Sequence, residues 1–324
     1  MQVSVIIPTH NPHPVRLRRT LAGLRAQTLP PDQWEALLVD NASSPAVELP
    51  AISASAPPNL HVVREPQLGL TAARQRGFVE AQAPLCVLVD DDNVLVPDYL
   101  ANVVRLFAAN PRVGALGGKS LPEFETEPPD WAREFLPLLA LRDLGDKPCV
   151  AEGLRPPGAT HNQYPDRAAP IGAGMAIRRE AALRWMGDNP DSTLSDRRGR
   201  ELSSGGDNDI VFTVLKHGWA VGYFPELSLT HLIPSSRLTA DYLGQINHGI
   251  QKSWVQVLVK YDGCHWTPVS AWTVLLRQIK AWFTHRAWTG TAARIRWRGA
   301  CGHLQGLGQW KRTKESATLK EPEA

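Results

Sequence analysis

Three consecutive carboxylates, Asp90, Asp91 and Asp92, follow directly on an apolar run, Leu85-Cys86-Val87-Leu88-Val89. A run of this composition reads as a strand buried on both faces. Carboxylates this close repel, and one or more takes up a proton unless a cation sits among them. Oxygen ligands at the end of a buried strand suit Mg2+ or Mn2+, with phosphate oxygens completing the shell. The competing reading is a solvated turn, because Asp and Asn are favoured turn residues. A second acidic group, Asp207-Asn208-Asp209, follows Ser203-Ser204-Gly205-Gly206 and opens a stretch with apolar Ile210, Val211, Val214 and Leu215. Asp at a helix start caps it and suits the helix dipole. The same carboxylate at the mouth of a cleft can take a proton from a substrate. His231 ends the run Leu227-Ser228-Leu229-Thr230; a lone histidine is structural more often than it is a ligand.

The segments that would position these groups alternate between strand and helix. Residues 3–7 read as a strand, followed by the breaker loop Pro8-Thr9-His10-Asn11-Pro12. A helix over 15–27 turns Leu17, Leu21 and Leu24 inward. Strands follow at 36–39, ending in Asp40-Asn41, and at 61–63. A helix over 71–81 starts near Thr71, the strand into the aspartates comes next, a helix runs from Pro97 to 109, and a strand at 113–116 closes on Gly117-Gly118. Strands separated by helices of this length predict an α/β fold with a parallel sheet and right-handed crossovers. In such sheets the ligand site lies beyond the carboxyl ends of the strands. Asn11, Asp40 and the aspartate triplet all fall at such ends. Residues 121–169 are proline-rich and read as a long irregular connection, usually a functional or mobile one. Order resumes at 170–177, where Gly172 and Gly174 imply a close approach of backbone or ligand. A helix at 179–186, a polar loop at 191–204, a helix at 210–217 and strands at 219–224 and 227–231 complete this part.

The chain has 324 residues, 43% hydrophobic and 21% charged, an ordinary globular composition. Cys86, Cys149, Cys264 and Cys301 lie far apart, with neither zinc-ligand nor redox spacing. That pattern predicts a cytoplasmic protein with reduced thiols. The chain opens on a strand pattern and not on a signal peptide, and no apolar run reaches the ~20 residues that span a bilayer.

Net charge is +3, but residues 263–314 carry nine Lys or Arg and no Asp or Glu, leaving the rest of the chain net acidic. The same stretch holds six of the eleven tryptophans. Within it Trp272, Leu275, Leu276, Ile279, Trp282 and Phe283 repeat at helical spacing, with Arg277 and Lys280 off that face. Two readings stand side by side. The helix packs on the catalytic domain, or residues 270–312 make a peripheral contact with anionic lipid at the cytoplasmic face of a membrane. Basic residues interleaved with aromatics also suit nucleic acid, but the acidic sites argue against it. Residues 315–324 are polar and read as a disordered tail.

Five blocks in order resemble the family 2 glycosyltransferases: Ser4-Val5-Ile6-Ile7-Pro8-Thr9-His10-Asn11, Val39-Asp40-Asn41-Ala42-Ser43-Ser44, the stretch from Leu68 to Gly77, the aspartate triplet, and the run from Gly205 to His231. The resemblance implies a GT-A fold over 1–255, with a nucleotide-sugar half (1–118) and an acceptor half (119–255), then a basic helical region (256–314). It implies a metal-dependent, inverting hexosyltransferase that moves a sugar from a nucleotide-diphosphate sugar, UDP-linked by resemblance, to a glycan or lipid-linked acceptor in polysaccharide biosynthesis. Pro8, Thr9, Asn11, Asp40, Gly69, Arg74, Asp90 and Asp91 would hold the donor, with Thr9 and Asp40 on the base. Asp92, with Asp90 and His231, would ligate Mn2+ or Mg2+, and Asp207 would be the general base with Asp209 in reserve. The chain departs from the family at Gly206, where relatives usually carry Glu, and at Gly174 and Gln75, where they often carry Asn. The loop around Arg197-Arg198-Gly199, the segment Leu202-Ser203-Ser204-Gly205 and the stretch from Asn247 to Ser253 look like polysaccharide-biosynthesis members.

Inverting transfer needs a base opposite the leaving group and a cation to stabilise the departing diphosphate; two separate acidic sites meet both needs. A nucleotidyltransferase would carry a Gly-rich phosphate loop after the first strand, where this chain has 8–14 without glycine. A dehydrogenase would need the dinucleotide glycines there. A degenerate sugar-nucleotide or glycan-binding module is the non-enzymatic alternative, made conceivable by Gly206.

Overall fold

The computed structural model describes residues 1–189 and 204–318, with side chains through 310. In chain order the elements are β1 (Val3–Thr9), α1 (Pro14–Arg25), β2 (Trp34–Asn41), α2 (Leu49–Ile52), β3 (Leu60–Glu65), α3 (Leu70–Glu80), β4 (Leu85–Leu88), β5 (Asn93–Leu95), α4 (Tyr99–Ala109), β6 (Val113–Phe124), β7 (Cys149–Glu152), β8 (Ala176–Arg178), α5 (Arg179–Asp188), α6 (Gly206–Lys216), β9 (Ala220–Ile233), α7 (Ala240–Lys260), α8 (Val274–Thr284) and α9 (Thr291–Thr318).

Every residue of β1 is buried, because the sheet is covered on both sides. Alternate side chains serve alternate layers. Val3, Val5 and Ile7 join Leu17, Leu21 and Leu24 of α1 in one core. Ile6 joins Phe78 of α3, Trp185 of α5 and Ile210 of α6 in the other. Truncating such a side chain to Ala typically costs about 2–5 kcal/mol.

One sheet runs β3-β2-β1-β4-β8-β6-β9-β5, with β7 also on β9. The expected parallel order holds from β3 through β4. Beyond β4 the mostly parallel sheet takes in antiparallel pairs. Strand β8 runs antiparallel to both β4 and β6, β5 and β7 run antiparallel to β9, and β6 with β9 is parallel. Parallel neighbours need a crossover, and no α-helix lies between β6 and β8.

Other boundaries also shift. Strand β6 continues past Gly117-Gly118 to Phe124, with a register irregularity against β9 between Gly117 and Lys119. The strands expected at 219–224 and 227–231 are the single strand β9. The segment read as irregular at 121–169 contains the end of β6, the 3-10 helix Asp130–Leu139 and β7. Positions 118 and 255, the expected divisions, fall inside β6 and α7, which run through them. Residues 315–318, expected in the tail, extend α9. The Arg197-Arg198-Gly199 loop, Leu202, Ser203 and the tail from 319 lie outside the described residues.

A third apolar cluster joins Phe135 and Leu139 to Ile233, Leu243 and Ile246 of α7, and Ile295 of α9. Among the described residues no helix is long and apolar enough to cross a membrane.

Candidate active site

Strands β1 and β4 are parallel neighbours, so the loops at their carboxyl ends, Pro8-Thr9-His10 and Asp90-Asp91-Asp92, meet at one edge. Strand β8 is antiparallel, which brings its entry segment, 171–174, to the same edge. The start of α3 and the start of α6 close the sides. The result is a cleft of about 440 Å³ lined by Pro8, Thr9, Gly69, Arg74, Asp90, Asp91, Asp92, Asp207 and His231, among others. Nine of the sequence-predicted site residues therefore come together.

The triplet forms one wall. The Thr9 hydroxyl donates a short hydrogen bond to Asp91. Burial, and then the neighbouring charges of Asp92 and Asp90, push the Asp91 carboxyl up to about 7, against the lowering effect of Thr9 and Arg237. Asp92 is buried. Its backbone carbonyl accepts from Leu232 N at 2.9 Å, and the adjacent pairing of Asn93 with His231 sets His231 beside it. His231 Nε2 lies 3.4 Å from Asp92 Oδ1. Arg237, in the 3-10 turn Ser235–Leu238, holds Asp92 Oδ2 at 2.8 Å and His231 Nε2 at 3.1 Å. A guanidinium only donates, so His231 Nε2 accepts and the proton of the neutral ring belongs on Nδ1. That Nδ1 is buried and has no hydrogen-bond partner.

Among the described residues no group of three or more His, Cys, Asp or Glu side chains could hold a metal ion. Of the expected trio, Asp92 and His231 stand 3.4 Å apart, and Asp90 lines the same cleft. The pair would fit Mg2+ or Mn2+ once Arg237 releases the His231 Nε2 lone pair that it now holds. The two ligand atoms stand side by side in a crowded acidic pocket, and such ions usually take most of their ligands from waters and substrate phosphates. Arg237 supplies the positive charge at that spot.

Asp207 lines another part of the same cleft. It sits in the first turn of α6, where a carboxylate suits the helix dipole. Arg74 Nη1 donates to its Oδ1 at 2.6 Å, and the Gly172 amide donates to its Oδ2 at 2.8 Å. Arg74 is itself buried on α3, so the pair is oriented by the fold. A Cβ on Gly172 would lie 2.5 Å from both Asp207 oxygens and from Arg74 Nη2. The close approach read from Gly172 and Gly174 is the approach of backbone to Asp207. Gly174 meets a different demand: its φ is +76° and a Cβ there would lie 2.6 Å from Leu229 Cδ2. That conformation disfavours any side chain but tolerates Asn better than most.

Asp209, the reserve base, turns away from the cleft. Its buried carboxylate accepts from Trp185 Nε1 at 2.7 Å, Lys260 Nζ at 2.5 Å and Tyr261 Oη at 2.9 Å. Two residues apart on a helix, Asp207 and Asp209 face different surroundings.

Asn11 and Asp40 are not brought to the cleft. Asn11 Oδ1 accepts from Ser44 N at 2.9 Å on the outer rim. Asp40 is buried and accepts from Ser43 N and Val47 N, each at 3.1 Å, and from Arg64 of the adjacent β3. Desolvation raises its pKa, but those hydrogen bonds and Arg64 outweigh it and hold the carboxyl below its usual value. Successive strand residues point to opposite faces, so Asn41, not Asp40, reaches the cleft. The Asn41 amide donates to Gln67 O at 2.7 Å and accepts from Gly69 N at 2.7 Å, which fixes the loop leading into α3. Sequence reasoning missed Asn41 and Arg237. Strand alternation could have found Asn41; nothing in the sequence around Arg237 marks it.

Comparison with known proteins bears on this geometry. The family described as Glycosyl transferase family 2 matches residues 4–184. Succinoglycan biosynthesis protein ExoW of Rhizobium meliloti (strain 1021) is 32% identical over 108 residues, covering 32% of this chain and 33% of that protein. Validoxylamine A glucosyltransferase of Streptomyces hygroscopicus subsp. limoneus is 30% identical over 152 residues, 45% of this chain and 33% of that protein. The chain thus spans 33% of the length of each of these two relatives. Among solved structures, mannosyltransferase PcManGT from Pyrobaculum calidifontis, in complex with GDP-Man and Mn2+, matches with a TM-score of 0.53 at 19% identity over 99% of this chain and 81% of that one. Residues 1–349 of S. aureus TarS match with a TM-score of 0.51 at 13% identity over 100% of this chain and 93% of that one. At such identities the likeness is one of fold.

Proposed function

The chain belongs to glycosyl transferase family 2, and from that premise we propose that it moves a hexosyl group, with inversion, from a nucleotide-diphosphate sugar to a hydroxyl of a glycan or lipid-linked acceptor. The observation that carries this reading is that two separate acidic walls, the triplet and Asp207, line one cleft. On one side the triplet, with Thr9, Gly69, Arg74 and Pro8 nearby, would receive the nucleotide diphosphate. We keep UDP as the first donor to try, with Asn41 and the loop it braces at the base-binding edge and Asp40 holding the turn behind them. On the other side Asp207 would face the acceptor.

In the transfer, the bond from the anomeric carbon to the diphosphate oxygen breaks and its electron pair leaves with the diphosphate. The acceptor oxygen forms the new bond from the opposite face, and its proton passes to Asp207. Each Asp207 oxygen carries one hydrogen bond from the protein and has a second lone pair for the acceptor hydroxyl. Arg74 and the Gly172 amide fix the direction in which those lone pairs point. Asp92 and His231 would hold Mn2+ or Mg2+, which would neutralise the leaving diphosphate. Arg237 adds a fixed positive charge beside the same pair. The basic C-terminal region, residues 270–312, is where peripheral membrane contact belongs in this reading.

The test is a panel of nucleotide sugars with the chain in Mn2+ or in chelator, reading free nucleoside diphosphate. Release from one donor only in the presence of metal is the expected result and names the sugar. No release, with no metal-dependent nucleotide binding, would overturn the reading in favour of a glycan-binding module.

A further inference from the structure

Helix α8 has no buried residue. Trp272, Leu275, Leu276, Ile279, Phe283 and Trp288, on and beside it, are 80, 65, 62, 49, 63 and 54% exposed. At 100° per residue the first five share one face of the helix. Exposed apolar side chains scattered singly are ordinary, but several large ones gathered on one face form an interaction surface. The opposite side of the helix is anchored. Trp282 meets Trp297 of α9 edge-on at 4.8 Å. Trp297 Nε1 donates to Gln278 O at 3.0 Å, and Gln278 Nε2 donates to Cys301 O at 3.3 Å. The apolar face is therefore held outward by the fold.

Charge identifies the occupant. Lys280 and Arg286 are exposed beside that face and Arg277 on the far side of the helix, and among the described residues no carboxylate pairs with any of them. Behind α8 a cleft of about 550 Å³ is lined by Arg277, Lys280, His285, Arg296 and His303, with no acidic side chain. Of these, Arg296 is ion-paired, with Glu134 at 2.9 Å, Arg277 Nε donates to Thr273 Oγ1 at 3.3 Å, and His303 packs edge-on against Trp266. A second copy of the chain set face to face on α8 would bring these cations against their own counterparts, because an isologous contact pairs like with like. No acid lies between residues 263 and 314 to relieve that repulsion. A bilayer surface bearing anionic phospholipid complements both the apolar face and the cations.

We propose that α8 lies flat in the interfacial layer of an anionic membrane. Trp272, Leu275, Leu276, Ile279, Phe283 and Trp288 enter below the headgroups, and Lys280 and Arg286 meet the lipid phosphates. The active cleft is close by: Ile250 of α7 lines it, while Asn247 and Gln251 of the same helix line the cationic cleft. The two clefts are separated by about one helix diameter, roughly 10 Å. This deepens the partner reading above and rests on it only for the consequence that a lipid-linked acceptor would arrive beside the base.

The test is flotation of the full chain with phosphatidylcholine vesicles, with or without phosphatidylglycerol, alongside solution mass by light scattering. The chain is expected to float with the anionic vesicles only. Lys280→Gln with Arg286→Gln should weaken that binding roughly 30-fold, at about 1 kcal/mol per charge. Ile279→Asp with Leu276→Asp should abolish it. Metal-dependent nucleotide binding, read on the same variants without vesicles, should be unchanged. Its loss in the wild type would sink the catalytic reading and leave the lipid result standing. Absence of flotation by the wild type, equal flotation with neutral vesicles, or a dimer that Ile279→Asp dissociates would overturn the membrane proposal.

Discussion

The two acidic walls of the cleft are built on opposite principles. Asp90, Asp91 and Asp92 are crowded at a strand end, and the pressure shows in Asp91, whose carboxyl is pushed up to about 7 mainly by burial and by Asp92. Asp92 escapes by leaning on Arg237 and His231. Asp207 is solitary, with one cation and one amide to orient it. Crowded carboxylates create a demand for external positive charge, which a metal-diphosphate complex can meet. An isolated, oriented carboxylate has no such demand and can accept a proton. Asp209 shows that a third arrangement, a carboxylate sealed among Trp185, Lys260 and Tyr261, serves the fold.

The largest expected effect separates the two walls. Asp207→Asn keeps the shape and one of the two protein contacts, turns the other oxygen into a donor NH2, and removes the proton acceptor. Transfer should fall about 10²- to 10⁴-fold, the usual worth of a positioned base, in a chain whose circular dichroism is unchanged. Asp209→Ala should do the reverse. It leaves Lys260 and the Trp185 N–H without their partner, and chemical denaturation should report roughly 3 kcal/mol less stability, with nucleotide affinity in the folded fraction preserved. Gly172→Ala is subtler. The new Cβ must displace Asp207 or Arg74, and a shift of about 1 Å in a positioned group can lower kcat about 10²-fold; unchanged kcat would mean that the amide contact does not aim the base.

The smallest effect concerns pH. The folded Asp91 carboxyl titrates near 7, above its ordinary value of 3.8, so the folded chain binds that proton more tightly than the unfolded chain. Its contribution to stability is full below 3.8 and declines as pH climbs to about 7. Thermal melts of the metal-free protein should therefore drop between those pH values. Asp91→Asn, which keeps the neutral shape, should flatten that decline, and an unaltered slope would remove the crowding argument.

The walls were legible in the sequence to different degrees, for physical reasons. An apolar run ending in three acids pointed to a buried strand meeting a site, with a solvated turn as the competing reading, and two glycines one residue apart announced the Gly172 approach. Asn41 lines the cleft and Asp40 does not; β2 is buried on both faces, so hydrophobicity alone does not say which of the two faces it. Arg237 was invisible because it comes from a short turn after β9, brought in by a strand pairing that joins residues far apart in sequence. Periodicity revealed the apolar face of α8 but not what it meets, since spacing defines a face and only packing defines its partner.

The central claim is that the triplet wall holds the metal-diphosphate end while Asp207 acts on the acceptor. Calorimetric titration of UDP with Mn2+ into the wild type, Asp92→Asn and Asp207→Asn tests it most directly. The account predicts that Asp92→Asn weakens binding at least as much as the roughly 10- to 100-fold that losing a mere supporting contact to a metal ligand costs. It predicts that Asp207→Asn binds as tightly as the wild type. Equal losses in both variants, or none in Asp92→Asn, would contradict the division of labour between the two walls.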